Sequence, residues 1–142
     1  MEKREKELCR LALEAREQAY CPYSGFAVGA ALLCDDGKMY TGCNIESSSY
    51  SPSICAERVA FAKAVSEGER DFVAIAVAGA NRGEMPKTEC PPCGVCRQVM
   101  AEFCDFEKFI VLMVKSKNEY TKCTLKELFP WAFGVENLQK GD

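Results

Sequence analysis

The chain has 142 residues, a formal net charge of -3, 48% hydrophobic residues and 27% charged residues. That length suits one domain whose core needs no disulfide staples, and the composition excludes a disordered chain. The mildly acidic balance argues against broad capture of nucleic acid, and no apolar run approaches the roughly 18 residues that span a bilayer.

Residues 4–19 read as an amphipathic helix, with Leu8, Leu11, Ala12, Ala15 and Ala19 on one stripe and Glu and Arg opposite. Pro22 and Gly25 end it. Residues 26–33 are apolar and rich in Ala and Val, a buried strand, and Asp35-Asp36-Gly37 turns the chain back into a second strand over 39–43. A polar loop of small residues covers 47–52. A second helix is expected from near Ser53 to about Glu67, stopped by Gly68. Val73, Ile75 and Val77 alternate in a third strand over 72–78, and 79–92 is a long loop. A third helix runs from near Cys93 to about Phe103, a fourth strand covers 108–114, and a short helix at 125–129 is closed by Pro130. The order predicts one domain over 1–142. It is an α/β fold, a three-layer α/β/α sandwich whose mixed sheet has an N-terminal antiparallel hairpin and parallel strands joined by helices.

Ten cysteines and no histidine define the chemistry open to this chain. There can be no Ser-His-Asp triad, no imidazole base and no imidazole ligand. Proton transfer falls to Asp, Glu, Lys, Tyr or Cys, and a transition metal must be held mainly by thiolates. Residues 1–7 carry no apolar core and do not read as a signal peptide, so a cytoplasmic setting with reduced thiols is expected.

Two clusters stand at predicted helix starts: Cys55-Ala56-Glu57-Arg58 and Pro92-Cys93-Gly94-Val95-Cys96. Free N–H groups and the helix dipole there favour a thiolate. Three thiolates from two helix starts suit a tetrahedral zinc with one open position, where a bound water would have a pKa near ~7. Glu57 lies close enough to face that water without being a ligand. Three thiolates leave the site negative, and Arg58 or Arg97 can offset this by donating to the sulfurs. Two other readings stay open on spacing alone: a Cys93/Cys96 redox dithiol, and a closed structural zinc with Cys90 as fourth ligand.

Cys-Ala-Glu followed by Pro-Cys-x-x-Cys matches the zinc deaminase signature. The segments at 19–24, 26–32, 42–46, 55–58, 64–68, 93–98 and 128–133 together resemble the small cytidine deaminases, in that family's order and over nearly the whole chain. The resemblance implies hydrolytic deamination of cytidine and 2'-deoxycytidine to uridine and 2'-deoxyuridine with loss of ammonia, a step of pyrimidine salvage. It implies a homotetramer with one zinc per subunit and sites shared between subunits, a small-molecule nucleoside substrate, and neither nucleic acid nor membrane as partner. By the same resemblance Cys55, Cys93 and Cys96 hold the metal and Glu57 shuttles protons, with Arg58 behind the sulfurs. Phe26 packs on the pyrimidine, Asn44 and Glu46 grip the ribose, and the backbone at Ala56 reads the base edge. Phe133 enters a neighbouring subunit's site and Tyr50 lies at a shared one. Cys90 departs from the pattern as an extra thiol close to the metal.

Overall fold

The structure, a computed structural model, describes residues 2–138, so the domain expected over 1–142 reaches past those residues at both ends. A nine-residue strand, β1 (Phe26–Cys34), forms the middle of the hairpin side of the sheet. It pairs antiparallel with β2 (Met39–Cys43) on one side and with β3 (Phe72–Asn81) on the other. β4 (Ile110–Ser116) runs parallel to β3, and β5 (Glu119–Thr124) closes the edge antiparallel to β4. The five-stranded order is therefore β2-β1-β3-β4-β5.

Alternation along the strands divides the core into two layers. On one face α1 (Glu2–Ala15) sets Leu8 and Ala12 against Ala31 and Leu33 of β1, Ala74, Ala76 and Ala78 of β3, and Leu112 and Val114 of β4. On the other face α2 (Ala56–Ser66) and α3 (Gly94–Phe103) cover Ala30, Leu32, Ile75, Val77, Val111 and Met113. Phe61 of α2 sits in this second layer and meets Phe72 edge to face at 5.1 Å. Burying such a ring contributes about 1.5–3 kcal/mol. No helix among the described residues is long and apolar enough to cross a membrane.

The close packing of α2 on the hairpin decides where this helix, capped by Cys55, begins. Ala56, Ala60 and Ala64 are buried at four-residue intervals and make a shallow stripe. Beneath it lies Gly42 of β2, where a Cβ would fall 2.5 Å from the Ala56 carbonyl oxygen and 2.7 Å from the Ala60 nitrogen. The helix backbone thus rests directly on the strand.

Five features differ from the expected elements. β5 was not among the expected strands: none of its residues is fully buried, and as a polar edge strand it carries little hydrophobic signal. Strands joined through helices were expected to give parallel pairs, yet β3–β4 is the parallel pair of neighbours; β2 and β3 run the same way with β1 between them. The first helix gives way at Arg16 to a 3-10 turn (Arg16–Gln18), where the buried Arg16 guanidinium donates to the carbonyls of Ala27 at 2.9 Å and Ala80 at 3.0 Å. α2 starts at Ala56, and a further short helix, α5 (Val135–Leu138), follows α4 (Leu125–Leu128).

Gly42→Ala should lower stability by about 1–3 kcal/mol, because the overlap is with backbone that no rotamer change relieves. Thermal melting checks this, and an unchanged Tm would contradict the contact.

Candidate active site

Cys55 and Cys93 occupy equivalent places: each is the N-cap of its helix, extended at φ -76 and φ -70, and neither makes a side-chain cap bond. Both thiols are therefore free to face the gap between the two helix starts. Cys96, one turn into α3, shares that face with Cys93. The Cys55 and Cys93 sulfurs lie 3.6 Å apart, as do those of Cys93 and Cys96. All three lie within 4.8 Å of one another. Tetrahedral Zn–S bonds of about 2.3 Å demand sulfur separations of about 3.8 Å, so the set fits zinc without rearrangement.

The protons support the same conclusion. A hydrogen bond from Cys96, with help from Arg58 and Cys93, pulls the Cys55 thiol down to about 5 against the effect of burial. Cys96, the donor in that bond and buried, is pushed strongly up. Without a cation the cluster supports ionisation of Cys55 at the expense of Cys96; a divalent cation lets all three be thiolates. Arg58 reaches the Cys55 sulfur at 3.8 Å. Its Nε is buried without a partner among the described residues. Arg97, the alternative donor, instead bonds the Pro92 carbonyl at 2.8 Å and the Leu128 carbonyl at 2.6 Å, bracing the start of α3.

Glu57 is 3% exposed, in the first turn of α2. Burial pushes its carboxyl up to about 7, with the charge of Cys55 adding to the effect and its own backbone N–H and Arg58 opposing it. A carboxyl at that value exchanges protons readily near neutral pH. Ala56 beside it is fully buried.

Phe26, Asn44 and Glu46, expected to hold the substrate, lie at the start of β1 and just after β2. The Asn44 side chain continues their ladder: Oδ1 accepts from the Val28 N–H at 2.9 Å, and Nδ2 donates to the Phe26 carbonyl at 2.8 Å. Glu46 accepts from the N–H groups of Tyr23 at 3.0 Å and Ser24 at 3.1 Å, and from the Ser24 hydroxyl. Those bonds, led by the Ser24 hydroxyl, hold its carboxyl below the usual range. Each side chain keeps spare capacity: one amide hydrogen on Asn44 and free lone pairs on Glu46. Phe26 is 38% exposed at the start of β1. Tyr50 and Phe133 stand out from the surface, Tyr50 with a left-handed backbone at φ 62.

Residues 2–113 match the family described as the cytidine and deoxycytidylate deaminase zinc-binding region, a span that contains all three clustered cysteines and Glu57. The chain belongs to this family. A cytidine deaminase of Sporosarcina psychrophila is 51% identical over 125 residues, covering 88% of each chain. One from Halalkalibacterium halodurans is 48% identical over 131 residues, covering 92% of this chain and 95% of that protein. The crystal structure of cytidine deaminase from Burkholderia pseudomallei superposes with a TM-score of 0.80 at 41% identity, covering 89% of this chain and 97% of that one.

A second group, Cys34, Asp36 and Glu69, also brings three ligand atoms together. There Lys38 already supplies a cation, 3.7 Å from Glu69 and 4.0 Å from Asp36, and burial pushes the Cys34 thiol up to about 12. The family's cysteines are the set a soft metal would choose. Cys90 does not join them. The residues that sequence reasoning missed here are the supports, Gly42 and Arg97's true partners; for Gly42 the available signal was a glycine inside a strand, which marks close backbone approach.

Zinc analysis should find about one ion per chain, lost in Cys55→Ala and Cys93→Ala and kept in Cys90→Ala. Loss in Cys90→Ala would restore the closed four-thiolate site.

Proposed function

We propose that this chain is a zinc-dependent hydrolase that deaminates cytidine and 2'-deoxycytidine to uridine and 2'-deoxyuridine, releasing ammonia. The observation that carries the reading is the pairing of a three-thiol cluster with one buried carboxylate, Glu57, two residues from a ligand and raised to about 7. Zinc, when bound there, supplies a water acidified to near neutral pH as the nucleophile.

Glu57 takes a proton from the attacking water and delivers it to N3 of the cytosine ring, which makes C4 electrophilic. It then takes the hydroxyl proton formed by addition and passes it to the amino nitrogen, which leaves as ammonia. The N3 proton stays with the uridine, so water and cytidine account for every atom of the products. Burial lets Glu57 do both transfers without exchange to bulk water. The Ala56 backbone faces the base edge, and Phe26 offers an apolar ring to its flat side. The spare amide hydrogen of Asn44 and the spare lone pairs of Glu46 complement a sugar hydroxyl, which both donates and accepts.

The working form in this reading is a cytoplasmic homotetramer with one zinc per subunit. Tyr50, Trp131 and Phe133, at 75%, 103% and 57% exposure, are large aromatics of the kind that a subunit contact covers. Phe133 and Tyr50 would then complete sites shared with neighbouring subunits. Salvage of pyrimidine nucleosides is the role such an activity serves.

Glu57→Gln should keep zinc and lose about 1,000-fold or more in cytidine turnover, followed by ultraviolet absorbance. Turnover within tenfold of the parent would move the proton shuttle to another group.

A further inference from the structure

Three glycines sit in strands where a Cβ would collide with a neighbour, and the collisions differ in kind. At Gly29 and Gly42 the nearest atoms are helix backbone. At Gly79 of β3 they are two side chains: the Cys90 sulfur at 2.7 Å, and Cε2 and Cζ of Phe26 at 2.9 Å and 3.0 Å. Backbone conformation does not call for glycine here. Gly79 has no positive φ, unlike Gly25, Gly37, Gly68 and Gly83, and it pairs with Val28 in regular antiparallel register. Its neighbours along the strand are Ala74, Ala76, Ala78 and Ala80. Alanine would serve the strand better than glycine. What alanine would disturb is the meeting of Phe26 and Cys90.

Those two are not equally able to move. Cys90 is half-buried and packed against the core layer that holds α2 and α3. It lies close enough to Glu57 and Cys55 for their charges to act on its thiol. Phe26 is 38% exposed, so its ring has an open side. A methyl group at position 79 would therefore lift the ring off the strand and towards that open side.

We infer that Gly79 is a positioning residue for the pyrimidine site, its missing Cβ and the Cys90 side chain together forming the seat that holds the Phe26 ring down on β3 and keeps open the slot for the cytosine ring. This rests on the reading above that Phe26 faces the base. Cys90, the thiol that stays out of the metal cluster, thereby has a place: it is the small side wall of that seat. The seat acts on binding rather than on proton transfer, since neither Gly79 nor Phe26 has a side chain that exchanges a proton.

The test is steady-state kinetics on cytidine, with direct binding of the product uridine, for the zinc-loaded parent, Gly79→Ala, Cys90→Leu and the double variant Gly79→Ala/Cys90→Ala. Gly79→Ala and Cys90→Leu should each raise KM and the uridine Kd about tenfold with kcat within about threefold, the pattern of lost uniform binding. Removing the Cys90 sulfur should recover part of that loss in the double variant, a non-additivity that a general loss of stability would not produce. Unchanged KM and Kd in either folded variant, or a fall in kcat alone, would overturn the seat. Should Gly79→Ala fail to fold, Cys90→Leu fills the same space from the other side and decides the matter. A parent that does not turn over cytidine rejects the activity and not the seat. The crystal structure of Gly79→Ala, or of Cys90→Leu in its place, then judges the seat independently: a displaced Phe26 ring upholds it and an unmoved ring overturns it.

Discussion

Three cysteine sulfurs brought within 4.8 Å of one another is the constraint on which the rest of this molecule depends. Thiolates repel, and burying them costs solvation, so only a cation makes the arrangement favourable. Two helix starts supply part of that positive field through their free N–H groups, and the extended N-cap conformation at Cys55 and Cys93 points the thiols into the gap. Arg58 adds a donor behind Cys55. Convergence requires that both helices lie on the same face of the sheet and begin at the same end. The parallel β3–β4 pair places α3 there, and the close rest of α2 on Gly42 places the other.

The same chain keeps its other thiols in a contrasting state. Burial pushes Cys9 and Cys34 up to about 12 and Cys90 up to about 11, so they act as small apolar side chains. The thiol pulled down is Cys55 at the start of α2, by position and not by residue type. Glu57 shows the same effect on a stronger acid: burial raises a carboxyl to where it can hold and release a proton near neutrality. In a chain without histidine, that placement supplies a group that titrates near neutrality.

Much of this was legible in the sequence because the signals were local. The Asp35-Asp36-Gly37 turn, the alternation through Val73, Ile75 and Val77, and the cysteines at helix starts each carry their own structural meaning. β5 was not legible, because an edge strand such as Glu119–Thr124 has polar residues where periodicity looks for apolar ones. Spacing by itself left both Arg58 and Arg97 open as the sulfur donor. The choice depends on the carbonyls of Pro92 and Leu128, the second of which is brought to α3 by the C-terminal segment. The bracing of Asn44 and Glu46 by the β1 backbone and by the turn at Tyr23 and Ser24 is likewise tertiary. The convergence of Cys55, Cys93 and Cys96 follows from spacing; what braces Asn44 and Glu46 follows from the fold.

The number of sulfurs around the metal tests the central claim most directly. X-ray absorption at the zinc edge of the purified protein should show three sulfur neighbours at about 2.3 Å and one lighter atom. Four sulfurs would close the position that the attacking water needs and would make the centre structural.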